Sequence, residues 1–203
     1  MPLYSSTDLP YDTRLAIWTI AEPELFFTGR YVPPVGITHP RKRLEHAAGR
    51  YLLTHLFDDF PVKDIQVSDT KKPYLNDARY HFSISHSGQY AAALVSQQHN
   101  VGMDLQAWDE KLLRIAPKFL HDTEKAFSGK DLQLNTTIWC AKEAAFKWYG
   151  KGEVDFSEHM ILEPFETAQK KIRLHFRKPD CDHLLELEVR LTPEFALVWV
   201  IEP

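Results

Sequence analysis

Between residues 40 and 57 the apolar positions Leu44, Ala47, Ala48, Tyr51, Leu52, His55 and Leu56 recur at intervals of three and four, the pattern of an amphipathic helix. Gly49 inside that pattern costs about 1 kcal/mol relative to alanine, so a close packing contact is expected there. Around it the apolar positions form short runs. Residues 15–20 read as the first strand, 65–67, 80–84 and 90–95 as further strands, and 22–30 as a short helix stopped by Pro33-Pro34. From residue 101 the rhythm repeats: a strand at 101–105, helical segments from Lys111 and from Asp122, a long helix at 136–149, then strands at 160–162, 171–176, 184–191 and 195–201. Ile172, Leu174 and Phe176, and likewise Leu185, Leu187, Val189 and Leu191, alternate with polar residues. Each such strand offers one face to a core and one to water. The pattern predicts an α+β fold with antiparallel sheets and helices packed on one side, in an N-terminal half at 1–100 and a C-terminal half at 101–203. No stretch near 96–101 is long enough for a flexible linker. The halves are expected to pack as one body with a site in the cleft between them.

Composition narrows the class. The chain has 203 residues, 44% of them hydrophobic and 12% aromatic, which supplies a core and argues against disorder. A formal net charge of -4 gives no global attraction to nucleic acid. Two basic clusters, Arg41-Lys42-Arg43 and residues 170–178, are either anion contacts or a solvated helix end and strand face. Cys140 and Cys181 make neither a disulfide framework nor a zinc pattern, which fits a reducing, cytoplasmic setting. The N-terminal residues lack the pattern of a secretory signal, and no run approaches the ~18 apolar residues of a membrane span, so a soluble protein is expected. Cys140 invites a nucleophile reading, but no evident base lies near it in sequence, and a buried thiol is the commoner case.

Three segments carry chemistry. On the long helix, Glu143 and Lys147 stand four residues apart and share a face; alone, they could be a surface ion pair contributing a few tenths of a kcal/mol. In the strand from Val101, Asp104 and Gln106 point the same way, while Gly102 removes a side chain where another backbone or a ligand could approach. Two carboxylates on separate elements with a lysine beside one of them suit Mg²⁺ and a phosphate; a strand end followed by a turn is the plainer reading of Asp104. The third segment ends a strand in Ser85-His86-Ser87-Gly88, where hydroxyls and an imidazole suit a phosphate oxygen. Adjacent strand residues face opposite ways, so Ser85 and His86 are poorly placed for a hydrolytic pair, and no G-x-S-x-G elbow occurs.

Taken in order, FSISHSG, VGMDLQ and WCAKEAAFK resemble the three linked signatures of the 4′-phosphopantetheinyl transferases, in particular the larger, surfactin-synthetase-activating type with two similar halves. Lys72-Pro73-Tyr74-Leu75 matches that family's G-K-P-x segment, except that Lys71 stands in place of the glycine. The resemblance implies two α+β halves related by a pseudo-twofold. It implies an Mg²⁺-dependent, monomeric enzyme with coenzyme A as co-substrate, moving the 4′-phosphopantetheine arm to a serine of an apo acyl or peptidyl carrier protein (holo-acyl-carrier-protein synthase activity). Adenosine 3′,5′-bisphosphate is released, and neither nucleic acid nor membrane is a partner. Asp104 and Glu143 would bind the metal, Glu143 would also be the base for the acceptor serine, and Lys147 would sit against the phosphates. Lys72, Ser85 and His86 match contacts to the nucleotide end and its 3′-phosphate, and Arg43 lies near that group. Gln106 stands where many members carry a second acid, so an amide oxygen or a water would complete the metal shell. That departure also keeps open a module of the same fold that binds coenzyme A or a carrier protein without catalysis.

Overall fold

The computed structural model describes residues 2–29 and 31–202, and its chain divides into two compact units between Val101 and Gly102. Met1 and Pro203, the outermost residues of the two expected halves, lie outside the described residues, as does Arg30, the last residue of the expected short helix.

The N-terminal unit is a four-stranded antiparallel sheet in the order β1-β2-β6-β5, built from β1 (Leu3–Leu9), β2 (Thr13–Thr19), β5 (His81–Ser87) and β6 (Tyr90–Ser96). The first strand is therefore β1 and not the apolar run at 15–20. It lies at the edge of the sheet, its residues alternate between half-buried and exposed, and its polar LYSSTDL sequence has no apolar run to reveal it. The short helix is α1 (Glu24–Phe27), and α2 (Pro40–Leu56) is the amphipathic helix. Helix α2 lays Ala47, Ala48, Leu52 and Leu53 over Ala16, Trp18, Phe82, Ala91, Ala93 and Val95. A Cβ on Gly49 would stand 2.6 Å from Ile84 Cγ2, so the expected close contact exists and is what lets α2 approach β5. Two more short strands, β3 (Gln66–Val67) and the unforeseen β4 (Pro73–Tyr74), pair as a separate hairpin.

The C-terminal unit is a five-stranded sheet in the order β7-β11-β10-β9-β8, from β7 (Val101–Ala107), β8 (Met160–Leu162), β9 (Lys171–Lys178), β10 (Cys181–Leu191) and β11 (Phe195–Ile201). The run β11-β10-β9-β8 pairs antiparallel throughout. Helices α3 (Lys111–Ile115), α4 (Asp122–Ser128) and α5 (Leu132–Tyr149) complete it. Ile138, Ala141, Ala145 and Trp148 of α5 join Leu174, Leu187 and Val198 in one core. Helix α5 starts four residues before the expected 136, because the Asp131 side chain caps it by accepting from Leu134 N at 2.8 Å. It stops at Gly150, whose φ of 74° is the left-handed ending glycine favours. The basic residues of β9 prove to be a wet strand face: Lys171 pairs with Glu186 and Glu188, while Ile172, Leu174 and Phe176 point inward.

Candidate active site

In the C-terminal unit, backbone packing sets the site. A Cβ on Gly102 would fall 2.0 Å from Ala144 O and 2.6 Å from Trp148 N, so only glycine lets β7 lie directly against α5. Two residues on, Asp104 meets the helix: Lys147 Nζ donates to Asp104 Oδ1 at 2.7 Å and to Met103 O at 3.0 Å. The side chains keep 25% (Lys147) and 10% (Asp104) of their surface exposed, so this ion pair is reachable. Glu143 sits one helical turn before Lys147. Burial and the Asp104 charge push its carboxyl up to about 7, against an opposing pull from Lys147. Cys140 lies a further turn back, fully buried, and burial beside Asp104 raises its thiol well above the ordinary range. It is a packed thiol, as its sequence setting suggested. Gln106 lies on the Asp104 face of β7 by strand alternation, and its amide N–H₂ donates to Ala107 O at 3.0 Å.

Glu143 also lines a pocket of about 510 Å³ with Ile115, Lys118, Phe119, Trp139, Val154, Asp155 and Phe156. The volume falls in the range of small-molecule sites. Trp139 packs against both phenylalanines with tilted rings, its ring centroid 5.0 Å from Phe119 and 5.8 Å from Phe156. Behind this wall lies a feature the sequence reading missed. Lys142 is fully buried and donates to Glu124 Oε2 at 2.5 Å, Phe119 O at 2.7 Å and Phe156 O at 2.8 Å. Its position offered a signal: in the helix register it falls with Ile138, Ala141 and Ala145 on the core side, where an unpaired lysine would not be tolerated.

The other expected ligand contacts lie in the N-terminal unit. Ser85 and His86 lie near the end of β5, as expected; the strand runs to Ser87, pairing His86 with Ala91 and Ser87 with Tyr90. Ser85 is buried and His86 half-exposed, on opposite faces. His86 Nδ1 lies 3.4 Å from Glu45, which also pairs with Arg41 at 2.8 Å, and Arg41 donates to Gly88 O. Arg43 is turned elsewhere. It makes a two-pronged pair with Glu24, at 2.8 and 3.2 Å, and donates to Pro34 O and Ile37 O. Lys72 is half-buried, and desolvation lowers its pKa. It follows Lys71, which takes a left-handed φ of 64° in the turn closed by Lys71 N and Ser68 O at 2.8 Å. That conformation is the physical reason a glycine suits the position. Two residues of α2 went unnoticed, His46 and Arg50, four apart on one face. Their Nδ1 and Nε atoms are buried with no hydrogen-bond partner among the described residues. Desolvation and the neighbouring Arg50, His86 and Arg43 charges push His46 down to about 4.

Residues 100–199 match the model of the 4′-phosphopantetheinyl transferase superfamily, so the C-terminal half, with Asp104, Gln106, Glu143 and Lys147, belongs to that superfamily. The chain is also similar to the 4′-phosphopantetheinyl transferase gsp of Aneurinibacillus migulanus, at 33% identity over 86 residues. That stretch is 40% of this chain and 35% of the relative, so the match spans about a third of the relative's length.

Proposed function

We propose that the protein transfers the 4′-phosphopantetheine arm of coenzyme A to a serine hydroxyl of an apo acyl or peptidyl carrier protein, with Mg²⁺, and releases adenosine 3′,5′-bisphosphate. The observation that carries this reading is the position of Glu143, which lines the open aromatic pocket and lies one helical turn from the accessible Asp104–Lys147 pair.

The donor set suits the cation. Asp104, Glu143 and the Gln106 amide offer oxygen only, which a hard ion such as Mg²⁺ takes. Among the described residues no group of three or more His, Cys, Asp or Glu side chains is placed to hold a metal. A shell finished by water and substrate phosphates is what Mg²⁺ accepts at such a place. The mutual opposition of Asp104 and Glu143, visible in the raised Glu143 pKa, is what a cation relieves. Bound there, Mg²⁺ supplies positive charge to the pyrophosphate of coenzyme A.

The chain's own groups do the rest. Lys147 has three ammonium hydrogens, of which Asp104 and Met103 O take two, leaving one for a phosphate oxygen. Glu143 accepts the serine proton as the serine oxygen bonds to the phosphorus that carries the pantetheine arm. The P–O bond to the adenosine side breaks, and its electron pair leaves with the 5′-phosphate. Lys72, Ser85 and His86 take the nucleotide end, joined by Arg50 and His46, whose unpartnered buried atoms suit an anion. His86→Ala and Lys72→Ala should each weaken coenzyme A by about tenfold or more while barely changing its 3′-dephospho form. An unchanged ratio of the two affinities in titration calorimetry removes them from the 3′-phosphate.

Gln106 favours a second reading, a module that binds coenzyme A or a carrier protein without turning over. One experiment separates the two: incubate the protein with coenzyme A, Mg²⁺ and a panel of apo carrier proteins, and follow the carrier mass. Addition of the phosphopantetheine arm supports transfer; calorimetric binding without any mass change supports the module.

A further inference from the structure

The buried Lys142 is placed for more than neutralising Glu124. Only one of its three hydrogen bonds goes to that carboxylate; the other two go to the backbone carbonyls of Phe119 and Phe156, residues on the two sides of the Glu143 pocket. Phe119 follows the 3₁₀ turn Ala116–Lys118, and Phe156 lies in the irregular loop between α5 and β8. Besides the packing of the Phe156 ring on Trp139 and Phe146, the loop near Phe156 is held by hydrogen bonds from Lys178 to Gly152 O and Glu153 O and by a local turn in which Asp155 Oδ1 accepts from Ser157 and Glu158. None of those bonds crosses to Phe119.

Glu124 is itself saturated. It accepts from Leu162 N on one oxygen and from His121 N and Lys142 on the other, fixing α4 and β8 to the same ammonium. Glu143 is the next residue along the helix.

We propose that Lys142 is a positioning residue for the transfer site: its ammonium ties the Phe119 and Phe156 walls together, and the width of the pocket in front of Glu143 depends on those two carbonyl bonds. The proposal rests on the transfer reading only for its kinetic consequence.

The test separates charge balance from wall-holding. Lys142→Met leaves Glu124 buried and alone and should lower the melting temperature. Lys142→Met with Glu124→Leu removes both charges and should restore part of that loss, since an apolar replacement of a buried pair is often neutral. The remainder is the cost of leaving Leu162 N and His121 N without their acceptor. The walls stay untied. In the double variant, amide exchange at residues 116–120 and 153–158 should run about tenfold or more faster than in the wild type. The kcat for carrier modification should fall about tenfold or more, with the KM for coenzyme A within about threefold. Glu124→Gln keeps the capping box and both carbonyl bonds and should keep the slow exchange of both walls.

Recovery of exchange protection together with melting temperature in the double variant would overturn the proposal. So would a Glu124→Gln protein whose walls exchange as fast as those of Lys142→Met, a comparison that stands even if the double variant does not fold. A wild-type protein that modifies no carrier ends the transfer reading, while the exchange rates still decide the role of Lys142.

Discussion

Helix α5 contributes the lysine of two acid–lysine pairs, with Glu124 of α4 and Asp104 of β7, and the pairs differ in what is left over. Lys142 and Glu124 are fully buried, and every ammonium hydrogen and both carboxylate oxygens have partners. Lys147, five residues along and about 140° round the helix, and its partner Asp104 on β7 keep part of their surface open. Beside them stands Glu143, whose carboxyl is pushed up to about 7 by burial and the Asp104 charge against the opposing pull of Lys147. A lysine and a carboxylate thus make a structural joint where every ammonium hydrogen and both carboxylate oxygens are engaged. Where capacity remains, they leave hydrogen-bonding groups for a charged ligand, as the proposed transfer site requires.

The sharpest way to break this comparison is to remove each lysine in turn. Lys142→Met should cost about 3–5 kcal/mol in urea unfolding, because it strands a buried carboxylate. Lys147→Met should cost about 1 kcal/mol or less, yet lower transfer about a hundredfold or more. Equal stability losses would erase the distinction. A smaller effect lies in the pH dependence of the metal-free protein. Glu143 has a folded pKa of about 7 against an ordinary 4.5, so between those values the folded state binds more protons than the unfolded one. Stability from this group is full below pH 4.5 and declines as pH rises through 7, by about 3 kcal/mol at most. Glu143→Gln should remove that slope, measured as the difference between the two proteins' urea midpoints across the interval. Smallest is Lys71→Gly, far from α5, where relief of a left-handed backbone should raise stability by about 1 kcal/mol or less and leave the α5 pairs untouched.

Much of this was legible because helix and strand periodicities are local. The α2 and α5 patterns, the alternation in β9 and β10, and the packing role of Gly49 all follow from spacing along one element. The edge strand β1 was not, since a half-exposed strand of LYSSTDL composition has no apolar run. Short motifs singled out Asp104, Glu143 and Lys147 as candidates, and the structure brings the three together where β7 meets α5. Lys142 was passed over although it adjoins Glu143, because its role depends on Glu124, 18 residues away, and on two backbone carbonyls that no side-chain pattern encodes. Arg50 and His46 were hidden for the opposite reason. The helix that bears them was read for its apolar face, and their significance is one buried nitrogen on each, His46 Nδ1 and Arg50 Nε, with no hydrogen-bond partner among the described residues.

The central claim is that Glu143 moves a proton at the open pair, and Glu143→Gln tests it most directly because it keeps the shape and one oxygen while losing charge and basicity. Coenzyme A affinity by calorimetry should stay within about threefold of the wild type and Mg²⁺ affinity should fall as one ligand loses its charge, while carrier modification followed by mass at saturating Mg²⁺ slows about a hundredfold or more. Undiminished modification by Glu143→Gln would contradict the account.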